Sequence, residues 1–300
     1  MKNDSLNEIK KDYMNPPIPH DLESSIQKGV AQAQREKQRH RFRHTIKKTA
    51  SIAAAASILF TVALNSSPAF ASSFSEIPLI NRVVQVLTVK DYQFEQDGYT
   101  ASVSTPAIDG LENKHLESLL NETYLKESKE LYQGFLKEME EMEDSGGGHL
   151  GLHSGYEVVT DNEQILSIRR YVVNTVGSSS TTYHYDTIDK ENELFLTLPS
   201  LFKDDAYIEV ISQSIKEQMM DQHRQDPDQI YWLEGMVEDP DLVDLFQKID
   251  PSQNFYISED ATLVISFDKY EVAPGYMGVA EFQIPTDILK PLLVSDEYLK

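Results

Sequence analysis

His149 and His153 stand four residues apart, a spacing at which two imidazoles on one helical face can share a metal ion. They fall instead in the Gly-rich stretch that follows Ser145-Gly146-Gly147-Gly148, with no HExxH pattern and no third ligand close by in sequence. Ser178-Ser179-Ser180 ahead of His184 offers hydroxyls and an imidazole, but there is no nucleophile elbow, and serine clusters are ordinary loop chemistry. The acidic run Glu138 to Asp144 reads as a solvated helix end. The chain has no cysteine, which excludes thiolate metal sites, cysteine nucleophiles and a lipoprotein anchor. No Gly-rich phosphate cradle occurs. These residues give no positive reason to expect an enzyme, a cofactor or a metal.

Ala273-Pro274-Gly275-Tyr276-Met277-Gly278 promises a different chemistry. Pro-Gly demands a tight turn, and the turn would hold Tyr276 out between two strands. A rigidly displayed aromatic is a typical binding anchor, because it brings large contact area at little side-chain entropy. The alternative is a tyrosine folded back onto the sheet.

Charge divides the chain. Residues 1–48 hold eleven Lys and Arg against six acids, a balance of +5, which leaves −27 of the total −22 on the remainder. Thr49 to Ser75 carries no charge, and it follows the basic run Arg35 to Lys48. Cations flanking an apolar segment are retained on the cytoplasmic side, so residues 1–48 are expected inside and the anionic part outside. The apolar core, Ile52 to Leu64, is shorter than the roughly 20 residues of a comfortable membrane helix. Pro68 and the small-x-small tripeptide Ala69-Phe70-Ala71, followed by Ser72, have the look of a signal-peptidase site. An ordinary secretory signal has a far shorter basic region than the 48 residues here. The expected anchor is one that can be cut. The anionic part should repel nucleic acid and anionic lipid, and attract cationic partners.

The elements that must position these residues follow from periodicity. Leu6, Ile9 and Tyr13 lie at helical spacing, Pro16-Pro17-Ile18-Pro19 interrupts them, and Leu22, Ile26 and Val30 form a second narrow stripe. Two such short helices cannot bury a core alone and want a partner, which Leu6, Ile9, Tyr13, Ile18, Leu22 and Ile26 would contact. Further on, Val83 to Val89 and Tyr92 to Thr105 alternate as strands, and Leu111 to Glu143 is a long helix ending in a flexible loop to about Gly155. Tyr156 to Thr160, Gln164 to Val176, Tyr183 to Ile188 and Leu194 to Leu198 read as strands, with a loop from Gly177 to Thr181. Asp204 to Gln222 is an amphipathic helix, Ile230 to Phe246 a weaker helical region broken at Pro240. Thr262 to Phe267 and Met277 to Ile284 are strands, and a closing helix runs from Pro285 to about Leu293. Strands mixed with helices and no regular βαβ rhythm predict an α+β fold with a mainly antiparallel sheet. The division is a partner-binding segment (1–48), an anchor helix (49–68), a cleavage region and tether (69–82) and an outer domain (83–300), which a boundary near 190 could split into 83–190 and 191–300.

The pattern Leu6-x-x-Ile9-Lys10-x-x-Tyr13, Pro17-Ile18-Pro19-x-x-Leu22, the basic run, the anchor, and Phe267-Asp268-x-Tyr270-Glu271-Val272-Ala273-Pro274-Gly275-x-x-Gly278 resembles the anti-sigma-V factor family over nearly the whole chain. Leu198 to Asp204 adds to the match. The outer half is also similar to a domain found beside polysaccharide deacetylase domains. The resemblance implies a cytoplasmic segment that sequesters an extracytoplasmic-function sigma factor and an outer receptor for lysozyme. It further implies release by signal peptidase and an intramembrane metalloprotease. It places ligand contacts at Pro274, Gly275 and Tyr276, and more loosely at Ser178, Ser179 and Ser180. The competing readings are a membrane-anchored or secreted lysozyme inhibitor or cell-wall-binding module, and a cell-wall enzyme fragment. The patterned residues 1–30 favour the regulator, since an inhibitor needs no inward helices.

Overall fold

A computed structural model describes residues 84–237 and 242–300. The expected partner contacts (Leu6 to Ile26), the anchor and the cut at Ala69, Ala71 and Ser72 lie outside the described residues.

Six strands form one sheet in chain order: β1 (Gln85–Gln96), β2 (Tyr99–Asp109), β3 (Leu150–Asp161), β4 (Ile165–Val176), β5 (Ser178–Asp189) and β6 (Leu194–Leu196). Every neighbouring pair is antiparallel except β2 with β3. Parallel neighbours need a long crossover, and helix α1 (Lys114–Asp144) supplies it. A second, antiparallel sheet holds β7 (Phe255–Ile257), β8 (Leu263–Phe267) and β9 (Ala280–Ile284). Helix α2 (Ala206–Gln225) covers it, burying Tyr207, Ile211, Ile215 and Met219 in one core with Phe255, Ile265 and Phe282. Helix α3 (Thr286–Leu289) follows β9. The α+β expectation with mainly antiparallel pairing holds. No helix among the described residues is long and apolar enough to cross a membrane.

Local chemistry explains the frame. Asp97-Gly98 turns β1 into β2, and at Gly98 (φ +86°) an added Cβ would meet the Gly148 carbonyl at 2.7 Å. Asn113 caps α1 by accepting from Leu116 N–H, and Glu117 accepts from Gly110 and Leu111 N–H at 3.0 Å each. The α1 face packs Phe135 against Phe94 and Tyr132 against Tyr92. Arg170 on β4 joins α1 to the sheet by pairing with Glu127 and with Asp186 at 2.7 Å, its guanidinium over the Tyr124 ring. Burial alone would raise the Asp186 carboxyl, but Arg170 beside it more than offsets that and holds it below its ordinary value. The two sheets are stitched where Thr160 Oγ1 donates to Ile257 O at 2.6 Å and Asn254 Nδ2 to Tyr183 O at 2.8 Å.

Several element boundaries differ from expectation. The expected strands on either side of Lys90-Asp91 form one strand, β1, at the sheet edge, with a bulge at Val89 between Thr88 and Lys90, and the expected strand Tyr92 to Thr105 is divided by the Asp97-Gly98 turn. β3 starts at Leu150, inside the expected flexible loop, because its backbone pairs with both β2 and β4. The described part of 230–246 forms no α-helix: Trp232 N–H bonds to Val272 O and Phe246 N–H to Trp232 O, while Tyr231, Leu233 and Phe246 plug into the core. α3 stops at four residues, since Pro291 has no N–H to extend it and Leu293 bridges to Phe202 instead.

Candidate ligand-binding site

Between β8 and β9 the chain runs through Asp268-Lys269-Tyr270-Glu271 and then a 3-10 turn at Gly275–Met277, preceded by Pro274 at φ −58°. Tyr276 is 67 % exposed, and its hydroxyl donates to the Asp228 carbonyl at 2.8 Å. On one side Met277 packs on the main core. The ring is therefore displayed to solvent yet pinned at both ends, at the backbone by the turn and at the hydroxyl by Asp228. It is not folded back onto the sheet.

Gly275 is required by packing. A Cβ there would lie 2.1 Å from the Tyr270 ring, so the aromatic occupies the space a side chain would take. Tyr270 itself has φ +72°, a left-handed backbone that a bulky residue seldom adopts, and Lys269 Nζ lies 5.2 Å from its ring centroid. Strain of this kind persists where the surroundings over-determine the conformation. Here Lys269 N–H bonds to Thr181 O at 3.2 Å and Asp268 N–H to Glu271 Oε2 at 2.7 Å.

Ser178 and Ser179 are not in a loop. Gly177 (φ +74°) alone reverses the chain, and the serines open β5 opposite Val176 and Thr175. Only Gly can turn so sharply there without a Cβ penalty. Ser178 is exposed, while Ser179 Oγ accepts from Lys269 Nζ at 2.9 Å. Asp268 Oδ1 accepts the Tyr183 N–H at 2.7 Å. The β4–β5 hairpin and the Pro274–Tyr276 loop thus belong to one rim, bridged by residues 268–270. Burial, aided by nearby Glu271 and opposed by the Tyr183 hydrogen bond, pushes the Asp268 carboxyl up to about 7. Sequence reasoning missed the bridging roles of Asp268, Lys269 and Tyr270, although their motif was visible. It had no signal for Asp228, which acts through its carbonyl.

The other candidates are apart from this rim. His184 lies further along β5, opposite Arg170 and 3.7 Å from Asp186. His149 precedes β3 beside Gly98, and His153 packs edge-on to the Tyr171 ring. No group of three His, Asp or Glu that could hold a metal occurs among the described residues.

The chain is 45 % identical over 295 residues to the anti-sigma-V factor RsiV of Bacillus subtilis (strain 168), covering 98 % of this chain and 99 % of that protein. The chain belongs to the anti-sigma-V factor family. Residues 199–287 also match the family described as a protein of unknown function (DUF3298), a span that includes α2, the second sheet and the Tyr276 loop but not the β4–β5 hairpin. Two crystal structures of DUF3298 members share the fold. One, from Bacteroides fragilis NCTC 9343, superposes with a TM-score of 0.52 at 16 % identity, covering 71 % of this chain and 95 % of that one. The other, from Pseudomonas aeruginosa PAO1, has a TM-score of 0.51 at 11 % identity, covering 74 % and 98 %. In this member of the anti-sigma-V factor family, the rim carrying Tyr276 offers an anchored aromatic, hydroxyls and backbone groups.

Proposed function

We propose that the protein is a membrane-anchored anti-sigma factor, a regulator rather than an enzyme. Residues 1–48 sequester an extracytoplasmic-function sigma factor inside the cell, and the outer domain senses lysozyme through Tyr276 and its rim. Binding exposes the cut after Ala71 to signal peptidase, and an intramembrane metalloprotease completes release. The observation that carries this reading is the extent of the relationship to the anti-sigma-V factor: a match over 98 % of the chain takes in the patterned residues ahead of the basic run, not the outer domain alone. The displayed, pinned Tyr276 and the charge of −27 outside residues 1–48 support a cationic ligand on the outer side. Nucleic acid is not a partner, because that charge repels it.

The test is co-expression of the full chain with extracytoplasmic-function sigma factors of the same cell. A complex should be recovered, and Ile9→Asp with Leu22→Asp should abolish it by placing charge in an apolar contact. Recovery of the complex in the double variant would refute the assignment of this segment.

A further inference from the structure

A second surface lies beside the Tyr276 rim, on the outer flank of α2. Glu217, Met220, Asp221 and Arg224 recur at helical spacing along that helix and face Glu234, Gly235 and Met236 across an open cleft of about 570 Å³. The cleft has fixed walls. His223 Nδ1 donates to Gln229 O at 2.7 Å, the Tyr231 hydroxyl bonds to Gln222, and Met236 N–H bonds to Leu233 O at 3.1 Å. Met236 rests on the main core, and Met220 is 43 % exposed although large and apolar. Methionine is the side chain best suited to re-pack around a partner's apolar groups.

The rim selects the occupant by charge. Three carboxylates, Glu217, Asp221 and Glu234, border the methionines, and the one arginine among the lining residues is already paired with Asp221. A second copy of this chain would bring its own net −22 against that rim. A small molecule would find an open cleft with few convergent polar groups to hold it. We infer that the cleft is a docking groove for a cationic, amphipathic segment of a partner protein, with apolar side chains against Met220 and Met236 and Lys or Arg against Glu217, Asp221 and Glu234. The groove binds independently of Tyr276, so this inference stands apart from the lysozyme reading.

Trp232 is the only tryptophan of the chain and sits two residues from Glu234, so its emission reports on the groove. The full-length chain in uncharged detergent micelles is titrated with a peptide of about 14 residues carrying Leu at helical spacing and Lys elsewhere. A saturable change with a micromolar Kd is expected, weakening as salt is added. Met220→Lys with Glu234→Lys should raise Kd about tenfold or more by removing the apolar seat and one carboxylate. Glu234→Lys alone, at an exposed position, should raise it severalfold and serves if the double variant does not fold. Tyr276→Ala should leave Kd unchanged. The inference is overturned if the groove variants bind as the parent does, or if a peptide with Ser in place of Leu binds equally well. Loss of binding in Tyr276→Ala alone would likewise move the site to the loop and end the assignment.

Discussion

Asp268→Asn tests whether the joint under the ligand rim is built around a reluctant carboxylate. Asp268 is partly buried, accepts the Tyr183 N–H at 2.7 Å, and lies on the bridge between the β4–β5 hairpin and the Tyr276 loop. Its carboxyl is pushed from 3.8 up to about 7, first by burial and then by Glu271. Between those values the folded state holds a proton that the unfolded chain has released, so stability falls as pH rises through that window. At about 1.4 kcal/mol per unit, ionising Asp268 above pH 7 costs the folded protein about 4 kcal/mol. Asparagine keeps an oxygen for the Tyr183 N–H and cannot ionise, and any cost of its buried amide is the same at every pH. The variant should therefore match the parent most nearly at about pH 4 and gain on it by about 4 kcal/mol at pH 8. Urea unfolding followed by Trp232 emission measures this, since Trp232 N–H bonds to Val272 O within the same region. Parallel stability profiles for parent and variant between pH 4 and 8 would falsify the assignment of this titration to Asp268.

Other consequences follow from particular contacts. Gly275→Ala, whose Cβ would stand 2.1 Å from the Tyr270 ring, should destabilise the fold by about 1–3 kcal/mol and hasten ligand dissociation, read by unfolding and by surface binding kinetics. Tyr276→Ala should weaken lysozyme binding by about 2 kcal/mol or more, mostly through the off-rate, while added salt should mainly slow association. Arg170→Met leaves Asp186 buried without its partner and should cost about 3–5 kcal/mol in a denaturation midpoint. Ala71→Trp should keep the chain intact under lysozyme challenge on an immunoblot, and equal cleavage of parent protein with and without lysozyme would reduce residues 49–72 to an ordinary signal peptide.

Periodicity alone exposed α2, because Tyr207, Ile211, Ile215 and Met219 repeat at the helical interval and all four are buried on one face. It also exposed β8, whose residues Leu263 to Phe267 are apolar except Ser266, and the turn at Pro274-Gly275, where proline fixes one backbone angle and glycine accepts the turn that follows. What it could not show depended on partners distant in sequence. Leu150 to Gly155 looks like a glycine-rich loop until β2 and β4 take up its hydrogen bonds, and Ser178 to Ser180 looks like a loop until Val176 pairs back across Gly177. Residues 230–237 carry helical spacing but spend their backbone on Val272 and their side chains on the core. At the site, residue type announced an aromatic on a tight turn. Only the tertiary structure decided that Tyr276 is displayed rather than folded back, because Asp228 is 48 residues away in sequence and Tyr270 fills the space above Gly275. Local propensity sets a turn, but where its side chain rests is settled by the groups that other segments bring to meet it.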